Sequence, residues 1–417
     1  MRPSLTLRIL PALLVLFLFN SCLKDNCTKT YIYFAPVYKT SAEVRLNIKS
    51  DQPRPLEKTG KIFIKGNYIF LNEPDKGIHI IDNTNPSSPK NISFVAIPGN
   101  MDMAVKGNTL YADLYIDLVA LDISDPLNVK VKKIVDNAFP HRIYSGGFAA
   151  TADKIITDWV KSDTTVSVDC NSADAGWGCR NCGVFFSAQS SDAASKASPF
   201  GMGGSMARFT IINSSLYTVS DNGLKVFSIA APENPSYVTA VDIQAGIETI
   251  YPFKDKLFIG SNTGMFIYDV QNPSKPEKQG QFTHVRSCDP VIADDNYAYV
   301  TLRSGTLCQG FANQMDVVDV KNVFNPSLLK SYPMTNPHGL SKDGNTIFIC
   351  DGKEGLRILN GTNANSITQI QQIKGPDAYD VIAFNKVAIV SAVDGLYQYD
   401  YSDLTNIRLL SKITFEK

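Results

Sequence analysis

The sequence predicts an all-β fold: a β-propeller of four-stranded antiparallel blades, with eight blades expected and seven as the alternative. Two observations predict it. The first is a short motif, Gly77-Ile-His-Ile-Ile-Asp82 followed by Asn83-Thr-Asn-Pro86, that recurs in altered form to the C-terminus. With Asp82 as the anchor, its equivalents are Asp122, Ser228, Asp269, Asp319, Asn360 and Asp400. The steps between them are 40, 106, 41, 50, 41 and 40 residues. A near-constant period in this range marks a solenoid, propeller or array. The step of 106 leaves room for a further copy, with Lys154–Val160 and Thr164–Asp169 as its two middle strands.

The second observation is that each copy holds about four short β-rich runs divided by Gly, Asn, Asp and Pro, the punctuation of strands and turns. In the second copy these runs are Met101–Lys106, Thr109–Leu114, Leu118–Ile123 and Val129–Val135. The third run is apolar on both faces, with Leu118 and Ala120 on one and Val119 and Leu121 on the other. Such a strand needs a sheet packed between two neighbours. The anchor Asp then leaves the strand, where its carboxylate can accept from the backbone N–H two residues on.

These residues resemble the LVIVD-repeat family, whose motif Ile78–Asp82 and Met315–Asp319 approximate. The resemblance extends over most of the chain after Lys61. It implies a cell-surface or periplasmic propeller, and it brings no enzymatic activity and no site residues with it.

In chain order, residues 1–21 read as an export signal. Arg2 and Arg8 precede the apolar run Ile9–Phe19, which is too short to span a bilayer. Phe19-Asn-Ser-Cys22 resembles a bacterial lipobox, so Cys22 is the expected lipidation site. The membrane, reached through that lipid anchor, is then a partner, and the outer membrane is the expected location, on its periplasmic or its surface face. Residues 22–55 form a tether, in which Tyr31–Phe34 and Val44–Ile48 are candidates for an extra strand or helix. The propeller occupies 56–417, interrupted by a Cys/Gly/Ser-rich insertion at 170–205.

Within the insertion, Trp177 stands between glycines and is a candidate partner contact. Cys170, Cys179 and Cys182 supply a C-x2-C pair, but no second pair follows to complete a zinc site. No metal or cofactor is therefore expected. Gly203-Gly-Ser-Met-Ala207 lacks the α/β setting that a nucleophile elbow requires. The glycines at 201–204 lack the helix of a phosphate loop. Cys288 and Cys308 close the ends of one predicted hairpin and are expected to form a disulfide, while Cys350 lies inside a strand as a buried thiol. The first and last units each look complete, so the ring should close by face-to-face packing of Ile78, Ile80, Leu396 and Tyr399, braced by Tyr31–Ile48.

Lys plus Arg equals Asp plus Glu at 40 each, which argues against nucleic acid as a partner. The segments leading into the innermost strands should ring one mouth of the central channel. They supply Asp102, His141, Arg142, Arg208, Glu248, Arg286, Asp289, His338, Asp377 and Asp380 as a candidate ligand site. The expected function is a binding or scaffold lipoprotein of the cell envelope, facing an envelope protein or a glycan. The alternative is an exported propeller hydrolase, lyase or dehydrogenase. Quinone-dependent dehydrogenases fit poorly, because the chain has no Cys-Cys pair and only two Trp.

Overall fold

The computed structural model describes residues 26–58, 60–140, 150–169, 204–220, 222–244, 246–284, 290–304 and 312–416. They fall into two units, one holding 26–37 with 158–169 and the other holding the rest. The larger unit is a β-propeller of seven blades, each with four antiparallel strands in sequence order. Blades I to VII span Ile62–Ala96, Met103–Val135, Phe209–Asp242, Ile247–Thr283, Val291–Pro333, Leu340–Ile373 and Ala378–Thr414.

The eighth blade is a correction. Lys154–Val160 and Thr164–Asp169 are not two strands of a blade. They belong to one 15-residue strand, Ile155–Asp169, which pairs with Asn26–Lys39 in a sheet of two strands. The surplus length between Asp122 and Ser228 therefore holds one strand of this ribbon, and its described residues form no extra blade.

The anchor motif works in all seven blades as expected. The amide two residues on donates to the side chain of Asp82, Asp122, Asp269, Asp319, Asn360 and Asp400 at 2.9–3.0 Å, and to Ser228 at 3.5 Å. Hydrogen bonds from Ser124 and Ser402 hold Asp122 and Asp400 down to about 2. The amide one residue past the anchor closes onto the turn of the inner hairpin, as in Asn83 N to Asn67 O at 2.7 Å and Ile123 N to Asn108 O at 2.8 Å. That inner turn needs a left-handed residue. Gly66 and Gly107 supply it at φ +55° and +56°.

Seven apolar clusters fill the interfaces between neighbouring blades. The third strand of blade II, Asp117–Asp122, shows why its pattern is apolar throughout. Val119 and Leu121 pack toward blade I, while Leu118 and Ala120 pack toward Phe209, Leu216 and Phe227 of blade III. Cys350 is a free, fully buried thiol in the VI–VII interface.

The ring closes by packing, without a shared sheet. Ile69, Leu71 and Ile81 of blade I meet Ile389 and Leu396 of blade VII. Of the expected seam residues, Leu396 is placed there. Ile78 and Ile80 face blade II, and Tyr399 faces blade VI. Asn83 and Gln398 exchange reciprocal amide hydrogen bonds of 2.9 and 2.7 Å across the seam, and Glu416 N donates to Leu56 O at 3.0 Å.

Of the expected brace Tyr31–Ile48, the part within the propeller unit packs at the I–II interface and not at the seam. Its helix Ser41–Arg45, closed by a capping box of Thr40 and Glu43, buries Val44 in the I–II interface. Lys49–Asp51 pairs with Lys90–Ala96 as a fifth strand on the outer edge of blade I. That edge is thereby covered by chain.

Candidate functional site

Among the described residues, the segments entering the innermost strands carry charged and polar side chains, several of which bond to one another or to the neighbouring strand entries. Lys61 and Asp102 are the most deeply placed charged pair, exposed by 1% and 2%. The Lys61 ammonium donates to Asp102 Oδ2. The same carboxylate accepts from Arg208 N at 2.5 Å, Phe209 N at 2.9 Å and Met103 N at 2.7 Å. It therefore ties blades I, II and III together. Burial pulls Lys61 down to about 8 and pushes Asp102 up, each opposed by the charge of the other.

The loop carrying Asp102 is held from below by Asp113, at the end of the second strand of blade II. Its Oδ1 accepts from Met101 N, Asp102 N and Asn100 Nδ2 at 2.8–2.9 Å. Blade VI repeats the device. Asp351 Oδ1 accepts from Thr335 N at 3.0 Å and Asn336 N at 2.6 Å, and Arg357 Nε lies 2.6 Å from Oδ2. The carboxylate at the end of the second strand thus sets the entry of its own blade's first strand.

On the other side of the mouth, His338 is buried. Its amide donates to Cys350 O at 2.7 Å and its carbonyl accepts from Thr301 Oγ1 at 2.7 Å. Nε2 lies 3.1 Å from Asn336 Nδ2, and the ring meets Tyr379 edge-on at 5.0 Å. Burial, then the charge of Arg303, lowers its pKa well below the usual range, so the ring is neutral. Arg303 is half-buried and faces the fields of Glu248 and Tyr379. Arg208 Nε donates to Glu248 O at 3.3 Å. Asp377 is half-buried beside Tyr379, and burial raises both groups, Tyr379 to about 12.

Asp380 is different. It is fully buried, and neither carboxyl oxygen has a side-chain hydrogen-bond partner among the described residues. Its Oδ1 abuts Gly339, where a Cβ would fall 2.0 Å away. Burial raises its pKa well above the carboxylate range, opposed by Val381 N–H and by the Lys61 charge, so burial favours the protonated form.

The mouth is also narrowed by the chain itself. The 3-10 turn Gly204–Met206, where the insertion ends, touches the innermost strands of blades IV, V, VI and VII. Ser205 Oγ accepts from Leu340 N at 2.9 Å, and Ser205 is buried. That hydroxyl has a structural task, in keeping with the absence of a nucleophile elbow.

Among the ten expected mouth residues, Asp102, Arg208, Glu248, His338, Asp377 and Asp380 stand in the described strand entries. His141, Arg142, Arg286 and Asp289 lie outside the described residues, as do Cys22, Cys170, Trp177, Cys179, Cys182 and the pair Cys288 and Cys308. Sequence reasoning missed Lys61, Arg303, Tyr379 and Ser205. Lys61 had a signal, because it occupies the same entry position in blade I that Asp102 occupies in blade II. Arg303 had none, because it follows a second strand. Among the described residues no three His, Cys, Asp or Glu side chains converge as metal ligands.

A search of curated proteins finds no match. The sequence profile described as "LVIVD repeat" matches residues 58–95 and 99–137. Among solved structures, the chain is similar to a functionally unknown protein from Desulfotomaculum acetoxidans DSM 771. The two share 12% identity over 84% of this chain and 95% of that one, at a TM-score of 0.54. It is also similar to the computationally designed Ika8 protein, at 8% identity over 87% and 91% of the two chains and a TM-score of 0.52. Saccharomyces cerevisiae Sqt1 matches at 7% identity over 89% of each chain, with a TM-score of 0.50. At these identities the likeness is one of fold alone. The two profile matches coincide with blades I and II, and the chain is thus a seven-bladed β-propeller carrying LVIVD repeats.

Proposed function

We propose that this protein is an exported lipoprotein, anchored to the outer membrane through Cys22, whose propeller binds an envelope protein or a glycan at the channel mouth. The observation that carries the reading is the apolar run Ile9–Phe19, which ends beside Cys22 and is followed by a closed propeller. The mouth supports binding over turnover. Asp102 is spent on three amides and an ammonium, and the neutral ring of His338 has its Nε2 occupied by Asn336. Such groups shape a surface and give it polarity, whereas a general acid or base must reach a substrate proton. Trp177 in the insertion is a second proposed contact.

Metabolic labelling of cells with a fatty-acid analogue tests the anchor. The wild-type protein should incorporate label and Cys22→Ala should not. Equal labelling of the two would refute acylation at this cysteine.

A further inference from the structure

Outside the propeller blades, the strand pair Asn26–Lys39 and Ile155–Asp169 has no task in the account so far. It is a sheet of two strands, 14 and 15 residues long. Thr30 Oγ1 lies 3.0 Å from Thr165 Oγ1, and Ser41 N donates to Ala152 O at 2.9 Å. Partner numbers fall as the first strand advances, so the strands run antiparallel. A two-stranded ribbon is marginal in water on its own. This ribbon nevertheless exposes large apolar side chains: Ile32 by 45%, Val160 by 52% and Val166 by 43%. Tyr31, Tyr33 and Trp159 stand among them, half-buried.

We propose that this ribbon lies in the headgroup layer of the membrane that holds the lipid anchor. The proposal rests on the membrane-anchored reading above. Three residues stand between Cys22 and Asn26, a span of four peptide steps. Fully extended, they reach at most about 14 Å. An acylated Cys22 sits at the bilayer surface, so the start of the ribbon is confined to that surface by chain length alone. The side chains fit that place. Tyr and Trp have apolar bodies and polar tips and favour the membrane–water interface. Lys29, Lys39 and Lys161 balance Asp158, Asp163 and Asp169, so apolar contact drives the binding and anionic lipid is not required.

The test uses full-length acylated protein carrying Trp177→Phe, which leaves Trp159 as its sole tryptophan. It is reconstituted into phosphatidylcholine vesicles with or without bromine on the acyl chains. Trp159 emission is expected to shift to the blue on vesicle binding and to drop in the brominated vesicles. Adding Ile32→Asp and Val160→Asp should abolish that drop while the protein still carries its acyl label and still floats with the vesicles. Protein that is acylated and vesicle-bound, yet emits equally in both kinds of vesicle, overturns the proposal and leaves the anchor intact. Absence of the acyl label refutes the anchor itself, and the proposal with it. Shielding of Trp159 that rises with protein concentration and needs no vesicles assigns the ribbon to a second copy of the chain, which also overturns the proposal.

Discussion

Replacing Lys61 with Met should lower the unfolding free energy by about 3–5 kcal/mol, the usual effect of removing one partner from a buried ion pair. Lys61 is 1% exposed, and its ammonium is the only countercharge shown bonding Asp102 among the described residues. Met fills a similar volume, so the loss is electrostatic and not a cavity. Asp102 would keep its backbone donors from Met103, Arg208 and Phe209 but would hold a buried charge without a cation. Adding Asp102→Asn removes that charge and retains one acceptor oxygen, enough for the Arg208 and Phe209 amides but not also for that of Met103. The double variant should therefore recover most of the loss. Denaturant midpoints of the two single variants and the double variant check this. A double variant as unstable as the sum of the singles would show that the pair does not act as a unit.

Leu71→Ala should cost about 2–5 kcal/mol, the range for a large-to-small change in a packed core. Leu71 is fully buried on the second strand of blade I and meets Ile389 and Leu396 of blade VII. The seam has no shared sheet, so packing and a few hydrogen bonds hold it shut. The damage should therefore be localised. Amide exchange in the strands of blades I and VII should accelerate more than elsewhere. Leu257→Ala removes the same side chain from the III–IV interface and serves as the control. Equal acceleration around the whole ring in Leu71→Ala would contradict a seam closed without a shared sheet.

Much of this fold was legible because the repeat encodes its own local physics. Asp82 and its equivalents leave the third strand and accept an amide two residues later, in blade after blade. The doubly apolar third strand announced a sheet buried on both faces. Two things were not legible. The blade count failed because Lys154–Asp169 is β-rich, and a β-rich run does not reveal which strand it pairs with. The phase of the seam failed because Ile78, Ile80 and Ile81 are all apolar. Where a strand has no polar face, alternation cannot say which side chain meets which neighbour.

The mouth was legible in part for a similar reason. Position within the repeat placed Asp102, Arg208, Glu248, His338, Asp377 and Asp380 at the strand entries. It did not say that Asp102 would be consumed by Lys61 and by the amides of the next blade. Nor did it show that a turn from the insertion would lie across the mouth, because Gly204–Met206 falls outside the repeat period.

The central claim is that the mouth binds a partner and does not transform it. Glycan and peptide panels incubated with the purified protein, scored for both retention and chemical change, test it most directly. The account predicts that some members of a panel are retained unchanged. It also predicts that Arg303→Ala, which removes the half-buried cation facing Glu248 and Tyr379, weakens that retention by roughly tenfold or more, as for a lost hydrogen bond to a charged group. Turnover of any retained compound, or retention indifferent to Arg303→Ala, would contradict it.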